Sequence, residues 1–419
     1  MNSTGPRPQT WSNVPLRYVC KLNPSVAFDG LDEDEDLTFL PMDRVKSGYF
    51  IPNTEKFLKY GPSYTAFEDG DIVMAKVTPC FENGNIAIVG NLVGGKGFGS
   101  SELFVIRPIA VERRFLFYYL QSSVFKQDGE ASMTGAGGLK RVSADVLRKH
   151  HLPCPSQDVQ LRIAGYLDHE TARIDGLIAE KERMLALLEE KRTALVSHVV
   201  TRGLDPNVRL EPSGQEWLGE IPAHWRVERA KNLFSIRDER SEDGSEELLT
   251  VSHITGVTSR SEKDVYMFQA DDKAGYKRCL PGDLAINTLW AWMGAMGISP
   301  LEGIVSPDYH VYTSKGDLLP EYVELLCRSR PFVTEVNRWS KGVWSSRLRL
   351  YPQNFFEMRL PVPSPGEQRA IVDAIQSDQA KTNQLYDALH ASIGLAKERR
   401  AALITDAVTG QIPLEEMTS

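Results

Sequence analysis

The segments LPCPSQDVQLRIAGYL (152–167) and LPVPSPGEQRAIVDAI (360–375) decide the fold of this chain, because one is a copy of the other. They lie 208 positions apart and align without a gap. The identical pairs are Leu152/Leu360, Pro153/Pro361, Pro155/Pro363, Ser156/Ser364, Gln160/Gln368 and Ile163/Ile371. The same offset aligns KRTALVSHVVT (191–201) with RRAALITDAVT (399–409). A repeat that keeps its register this long predicts two equivalent structural elements.

Each copy predicts a long helix. Proline is absent from 156–205 and from 366–412, and both stretches are rich in strong helix formers. About 36 helical residues would span roughly 54 Å. Apolar residues recur in one heptad frame in both copies, with flanking positions that widen the stripe, and we expect the twin helices to contact each other. The residues predicted for this coiled coil and for subunit docking are Leu167, Ile174, Leu177, Leu188, Leu195, Ile375, Leu385, Leu389, Ile393 and Leu403.

A globular block precedes each helix. GDIVMAKVTPCFENGNIAIVG (70–90) and GDLAINTLWAWMGAMGISP (282–300) are β-branched or aromatic runs broken by Gly, Pro and Asn, which predicts strands and turns. Helical stretches at 111–125 and 320–333 follow. The predicted order is a block (1–151), a helix (152–203), a connector (204–225), a block (226–359), a helix (360–412) and a tail (413–419). Trp217, Ile221 and Trp225 of the connector should anchor on the second block.

The composition indicates an ordinary globular protein, with 42% apolar and 25% charged residues among 419. No apolar run is long enough to span a bilayer, and the N-terminus resembles no targeting segment. Five scattered cysteines fit free thiols in the cytoplasm. The net charge of −8 argues at first against a nucleic-acid partner, but six acids lie in the single loop 29–36, and 325–360 holds seven basic residues against two acids. Basic surface is therefore available locally.

No active site is evident. GNLVGGK (90–96) matches the start of a phosphate-binding loop, but Gly97 stands where Ser or Thr would hold magnesium, so a glycine-rich hairpin loop is the better interpretation. No dinucleotide fingerprint, nucleophile motif or NPPY-like tetrapeptide is present, and His150-His151 lacks a ligand partner at helical spacing. We therefore predict a chain that is not an enzyme and that binds no metal or cofactor itself.

Loops at matching places in both blocks carry side chains suited to DNA phosphates and base edges. For any one of them a solvated surface charge or a turn residue is the simpler explanation, and Trp290 and Trp292 also fit one face of a core strand. As clusters they favour DNA binding. The candidates are Lys76, Thr78, Asn83, Asn85, Lys96, Lys140, Arg141 and Ser143 in the first block, and Asn287, Trp290, Lys341, Trp344, Ser345, Ser346, Arg347 and Arg349 in the second.

These features together resemble the specificity subunits of type I restriction-modification systems. The resemblance rests on the duplicated LPxP-x4-Q-x2-I, the helix ends ALVSHVVTRGLDP and ALITDAVTGQIPL, and the connector SGQEWLGEIPAHW, and it covers essentially the whole chain. One departure is that the first copy has Asp158-Val159 where the second has Gly366-Glu367, which gives the usual Glu-Gln pair.

The resemblance implies an α+β fold in which two mixed α/β target-recognition domains are separated by two long antiparallel coiled-coil helices with a pseudo-twofold repeat. It also implies recognition of a bipartite, asymmetric site in double-stranded DNA for adenine methylation. The helices would dock two methyltransferase subunits and, through them, restriction subunits. S-adenosylmethionine, ATP and magnesium would then be bound by those partners.

Two other classes of protein compete with this interpretation. A coiled-coil adaptor without DNA specificity would share the helices but would not bind duplex DNA selectively, with the salt dependence that phosphate contacts impose. A self-sufficient restriction enzyme would need methyltransferase motifs, which the chain lacks.

Overall fold

The computed structural model describes residues 11–417 except 29, 31, 33, 58–63, 137, 263–271 and 343–347. The chain forms two compact units. The first comprises Met1–Glu182 and His390–Ser419, and the second comprises Arg183–Leu389. Each unit therefore contains one globular block and a part of both long helices. In the part of the chain that the structure describes, no helix is long and apolar enough to cross a membrane.

The first block is built mainly from short strands. Its strands are β1 (Ser12–Pro15), β2 (Cys20–Leu22), β3 (Asp36–Leu40), β4 (Asn53–Lys56), β5 (Thr65–Glu68), β6 (Ile72–Ala75), β7 (Ile86–Ile88), β8 (Lys96–Gly99), β9 (Leu103–Pro108), β10 (Thr134–Ala136), β11 (Leu139–Arg141) and β12 (His151–Cys154). Its helices are α1 (Arg113–Tyr119), α2 (Ser123–Ala131) and α3 (Ala144–Lys149). The single helix predicted over 111–125 is two helices, because Ser122 caps α2 by accepting a hydrogen bond from the Phe125 amide.

Two four-stranded sheets organise the described part of this block, in the orders β2-β9-β6-β7 and β4-β3-β8-β5. All pairings in them are antiparallel except β3 with β8. Strand β6 is buried on both faces, which explains its continuous apolar sequence IVMA. The GNLVGGK segment forms the turn that enters β8, but the prediction of a hairpin loop is wrong, because the strands on either side of it, β7 and β8, belong to different sheets.

The first long helix, α4 (Gln157–Arg202), leads into the second block. That block contains β13 (Leu210–Pro212), β14 (Glu220–Pro222), β15 (Arg226–Arg229), β16 (Phe234–Ile236), β17 (Leu249–Ser252), β18 (Gly256–Ser259), β19 (Lys277–Cys279), β20 (Leu284–Ile286), β21 (Met296–Ile298), β22 (Gly303–Val305), β23 (His310–Ser314) and β24 (Arg359–Val362). Its helices are α5 (Ala230–Leu233), α6 (Pro320–Arg328), α7 (Arg330–Trp339) and α8 (Pro352–Glu357), and α9 (Pro365–Val408) follows.

The second block repeats the first block's central sheet in the order β16-β23-β20-β21. The LPxP strand of each block pairs with a strand near the start of that block, as β12 with β1 and β24 with β15. The connector residues Ile221 and Trp225 are buried in the core of this unit, and Trp217 packs against the same core, as predicted.

The long helices exceed the predicted 36 residues, with 46 in α4 and 44 in α9. Within the first unit they run antiparallel, because Asp175 and Glu182 of α4 pair with Arg400 and Lys397 of α9. In the second unit Lys191 of α4 lies 3.9 Å from Asp378 of α9. Helix α9 begins at Pro365, which is accommodated in the first turn because its missing N–H breaks no helical bond there.

The long helices bury much of the apolar stripe defined by the heptad frame. Leu167, Ile174, Ile375, Leu389 and Ile393 are buried as predicted. Leu188, Leu195 and Leu403 are half-buried. Leu177 and Leu385, which were predicted to flank the heptad frame and to serve the coiled coil or subunit docking, are 50% and 42% exposed and therefore lie outside the contact between the helices. The neighbour Ile178 is buried instead of Leu177. A step of one residue turns the side chain by about 100° around the helix, which moves Leu177 out of the contact.

The repeated glutamine joins each helix to its block. The Gln160 carbonyl oxygen accepts a hydrogen bond from the Glu112 amide at 2.7 Å, and Gln368 accepts one from the Leu319 amide at 2.7 Å. Glu112 and Leu319 are the N-caps of α1 and α6. Both glutamines are buried, and their amide groups also donate to backbone carbonyls of the LPxP segment. The shared residue of the repeat is therefore a joint between helix and block.

Candidate nucleic-acid interface

Two of the predicted recognition loops lie side by side in the first unit. The loop between β6 and β7 covers 76–85, and the hairpin of β10 and β11 leads into 142–143. The Val142 amide donates to the Lys76 carbonyl at 2.8 Å, and the Thr78 amide donates to the Lys140 carbonyl at 3.0 Å. Segments separated by some sixty residues thus form one surface.

This surface brings together Lys76, Thr78, Lys140 and Arg141. The Lys76 ammonium lies 5.6 Å from the centre of the Phe104 ring. Lys140 and Arg141 are exposed on a hairpin whose described residues all face solvent. Two exposed cations beside a hydroxyl suit contact with a phosphodiester backbone.

Arg141 is held by a carboxylate that the sequence analysis did not identify. Its guanidinium donates to both oxygens of Glu102, with the Nε and the terminal nitrogen at 3.0 and 2.9 Å. Hydrogen bonding to Arg141 lowers the pKa of Glu102, and the same bond raises the pKa of Arg141. Glu102 is 39 residues away in sequence, and no local pattern marks it. The fork of Arg141 is therefore fixed before any ligand arrives.

The other first-unit candidates occupy varied positions. Asn83 is exposed in the same loop, whereas Asn85 is half-buried and its backbone carbonyl pairs with the Ala75 amide. Lys96 lies on β8 in the other sheet, where its ammonium binds the Ala27 carbonyl at 2.5 Å. Ser143 caps α3 through the Asp145 amide. Lys96 and Ser143 thus have structural partners within the block.

The second unit builds the same junction. The Leu350 amide donates to the Thr288 carbonyl at 3.3 Å, and Leu350 lies 208 positions after Val142. Lys341 and Arg349 pair through two backbone hydrogen bonds of 2.9 Å and both are exposed. The loop between β20 and β21 therefore lies against the strand pair at 341 and 349, as the loop between β6 and β7 lies against its hairpin.

The second-unit candidates divide into exposed and buried residues. Trp290 is 48% exposed and stacks on Trp292, with ring centres 6.2 Å apart. Asn287 is buried, and its amide nitrogen donates to the Val251 carbonyl and the Tyr309 hydroxyl. The interpretation of Asn287 as a residue that faces DNA is corrected by this burial, because its side chain ties strands together. Trp344, Ser345, Ser346 and Arg347 lie outside the described residues.

No cluster of three or more His, Cys, Asp or Glu side chains that could hold a metal ion occurs among the residues that the structure describes. The buried His150 is held between Tyr119 and Asp128, with hydrogen bonds of 2.7 Å on both ring nitrogens. The ring of His150 is therefore occupied by structural partners.

Known proteins are similar in sequence to part of this chain. Residues 8–183 match the family model of the type I restriction modification DNA specificity domain. The specificity subunit of the type I restriction enzyme EcoEI of Escherichia coli is 34% identical over 163 residues, which cover 38% of this chain and 27% of that protein. The EcoAI specificity subunit of Escherichia coli is 34% identical over 161 residues, which cover 37% and 27%. The match thus spans about a quarter of the length of these relatives.

The fold matches a solved structure along nearly the whole chain. A chain from a study of complex assembly and conformational transition of the type I R-M system superimposes with a TM-score of 0.70 at 17% identity. The match covers 97% of this chain and 100% of that chain. This match confirms the predicted mixed α/β fold with two long helices. The resemblance stated from the sequence is supported by the family model and by the two relatives over the part of the chain that they match.

Proposed function

We propose, from the match of residues 8–183 to the family model of the type I restriction modification DNA specificity domain, that this chain is the DNA sequence-specificity subunit of a type I restriction-modification complex. The observation that carries the proposal is the loop junction that occurs once in each unit. The two junctions share a backbone frame and differ in side chains, as two readers of unlike half-sites should.

Each junction serves one half of a bipartite DNA site. In the first unit, Lys140 and Arg141 supply charge for phosphates, and Thr78 lies between them and the block. In the second unit, Lys341 and Arg349 supply the charge and Trp290 an aromatic surface. Phosphate contacts position the protein, and contacts with base edges distinguish sequences. Half-sites one helical turn apart lie roughly 34 Å from each other.

The long helices serve as docking surfaces for two methyltransferase subunits and, through them, for restriction subunits. Large apolar side chains are exposed along both helices, although their own seam is filled by other residues. These exposed residues are Leu161, Leu177, Met184, Leu187, Leu385, Tyr386 and Leu395. S-adenosylmethionine, ATP and magnesium belong to the partner subunits, and this chain supplies recognition without catalysis.

Methylation mapping tests the proposal most directly. A host that lacks adenine methylation would express the neighbouring methyltransferase alone, this chain alone, or both, and its genome would be read by long-read sequencing. We expect one two-part adenine motif that appears only when both are expressed. A coiled-coil adaptor without DNA specificity would produce no such motif, and that result would contradict the proposal.

Helix length offers a second test. Seven residues would be inserted into the middle of α4 and seven into the middle of α9, so that the heptad frame is kept. We expect the same two half-sites with a longer spacer between them. The matched control places the same seven residues in the connector 204–219, which should leave the spacer unchanged. An unchanged spacer in the helix variant would exclude the helices as the element that sets this distance.

A further inference from the structure

Trp290 differs from the other tryptophans of this protein. Of the six tryptophans that the structure describes, it is the one in the exposed class, at 48%. Its ring lies nearly parallel to that of Trp292, at an interplanar angle of 24°. The indole N–H of Trp292 donates to the Leu289 carbonyl at 3.1 Å, which fixes the supporting ring. The exposed face of Trp290 is thus presented by a rigid aromatic pair.

The backbone places Trp290 at a defined point of the recognition junction. It lies two residues after Thr288, whose carbonyl accepts the hydrogen bond from Leu350. In the first unit, Thr78 lies two residues after Lys76, whose carbonyl accepts the corresponding bond from Val142. The two loops therefore hold a threonine and a tryptophan at the same position.

The chemistry of the indole narrows what it can recognise. An exposed indole face offers apolar contact and no hydrogen-bond acceptor, and its single N–H lies at the ring edge. On the edges of base pairs in the major groove, the apolar group is the C5 methyl of thymine, whereas the other groups are hydrogen-bond donors or acceptors. Burial of that methyl against an aromatic face is favourable, and a rigid ring loses little conformational freedom in making the contact.

We propose that Trp290 is a specificity-determining residue that packs against the C5 methyl of a thymine in the half-site read by the second unit. The proposal rests on the proposed function. Thr78 occupies the corresponding position in the first unit and offers a hydroxyl and a smaller apolar group. The tryptophan and the threonine at this shared position therefore make the two half-sites different.

Replacement of thymine by uracil removes only the methyl group and tests the contact. The complex of this chain with its methyltransferase would be titrated with duplexes that carry the mapped site, with each thymine of either half-site replaced in turn. We expect one replacement in the second half-site to weaken binding about fourfold, the effect of losing one buried carbon group. The effect on binding of replacements in the first half-site should not depend on Trp290.

The variant Trp290→Ala completes the cycle. It should bind the thymine duplex more weakly than the wild type and should no longer distinguish thymine from uracil at that position, whereas Trp290→Phe should keep part of the discrimination. The matched control is Ile254→Ala, which removes another exposed apolar side chain from the second unit and should leave the discrimination intact. Unchanged recognition of the first half-site and an unchanged Tm would show that the variants fold.

Three outcomes would overturn the proposal. They are a second half-site without thymine, a wild type that is insensitive to uracil throughout that half-site, and equal sensitivity in the wild type and Trp290→Ala. Each of them leaves the two-part methylation motif in place. The proposed function fails in a different way, because no motif would appear with the wild-type chain.

Discussion

The entrances to α4 and α9 are copies in sequence, yet they are fastened differently. In the second copy, Ser364 and Glu367 exchange hydrogen bonds between side chain and backbone, which is a capping box. Glu367 also accepts bonds from His224 at 2.6 Å and Trp225 at 3.2 Å. In the first copy, Val159 takes the position of Glu367 and joins the same apolar cluster as Trp11. The start of α9 is thus held to its block by hydrogen bonds, and the start of α4 by apolar contacts.

The central sheets differ in a similar way. Asp71 and Asp283 both follow a glycine, precede the central strand and are buried beside an arginine. Arg107 comes from the strand opposite Asp71, whereas Thr313 holds the corresponding position in the second unit. There the arginine is Arg237, which follows β16. Both units thus keep the buried carboxylate, whereas the arginine beside it comes from a different strand in each unit. The repeat preserves the ion pair more strictly than the position of the arginine.

Loss of either buried carboxylate should have the largest effect on stability. Asp71→Asn and Asp283→Asn would each remove the buried partner of an arginine, which keeps only the more exposed Glu68 or Glu239. The cost to the unfolding free energy of the affected unit should be about 3 kcal/mol, the lower end for breaking a buried ion pair. Hydrogen exchange of β6 and β20 measures the two losses separately. Asp36→Asn, which removes an exposed partner of Lys56, is the control and should change little.

A double substitution in the second unit tests whether the arginine beside the buried carboxylate can be supplied from either position. Arg237→Asn should destabilise the second unit, and adding Thr313→Arg, which copies the arrangement of Arg107, should recover part of the loss. No recovery would show that the two positions are not interchangeable and would limit the comparison to the carboxylates.

Replacement of the repeated glutamine should have the next largest effect. Gln368→Leu leaves the Leu319 amide and the Asp317 and Pro363 carbonyls without this partner, and about 1–3 kcal/mol should be lost from the second unit. Gln160→Leu should cost somewhat less, because the structure gives its amide one backbone carbonyl partner, Pro155. Hydrogen exchange at the first turns of α6 and α1 reports the two losses. A larger loss for Gln160→Leu would reverse this ranking.

The hydrogen bonds of Glu367 should also make the stability of the second unit depend on pH. The apolar contacts of Val159 should not do so for the first unit. Burial raises the pKa of Glu367, but hydrogen bonds from His224, Ser364 and Trp225 outweigh it and lower that pKa to about 2. A carboxyl group whose pKa is lower in the folded protein than in the unfolded chain stabilises the fold at pH values above its ordinary pKa. This stability is lost as the pH falls towards 2. Glu367→Gln should therefore cost about 1 kcal/mol at pH 7 and progressively less below pH 4.5.

The control for this pH dependence lies in the first copy. Val159→Gln places an uncharged amide at the corresponding position, and the stability difference from the wild type should not vary with pH over the same range. Thermal unfolding from pH 7 to pH 2 provides the measurement, because the predicted change lies between pH 4.5 and pH 2. A constant difference for Glu367→Gln would mean that the carboxylate charge plays no part in the joint.

The smallest expected effects concern single phosphate contacts. Lys140→Ala and Lys341→Ala should each reduce by about 0.9 the slope of the logarithm of the binding constant against the logarithm of salt concentration, equally for all sequences. Lys149→Ala is the control, because Lys149 pairs with Asp145 on α3. A change in base preference for Lys140→Ala would instead assign that lysine to base recognition.

The repeat predicted much of this architecture from sequence alone. The two helices, the strands after each Gly-Asp pair and the neighbouring loop clusters follow from patterns that are local or that recur at a fixed offset. Which of the flanking residues is buried could not be predicted, because Leu177 and Ile178 are equally apolar and tertiary packing selects Ile178. The burial of Asn287 and the pairing of Arg141 with Glu102 also depend on long-range contacts that leave no local pattern.

Under the proposed function, the glutamine joint has a consequence for how this chain could acquire a new DNA target. On the block side, Gln160 and Gln368 bind main-chain groups, which nearly every residue type supplies. A foreign block that ends in the same short motif would offer the same main-chain groups to the glutamine, whatever its side chains. Genetic recombination within the two duplicated stretches would therefore exchange whole blocks without disturbing the helices, and a new half-site could be gained in a single crossover.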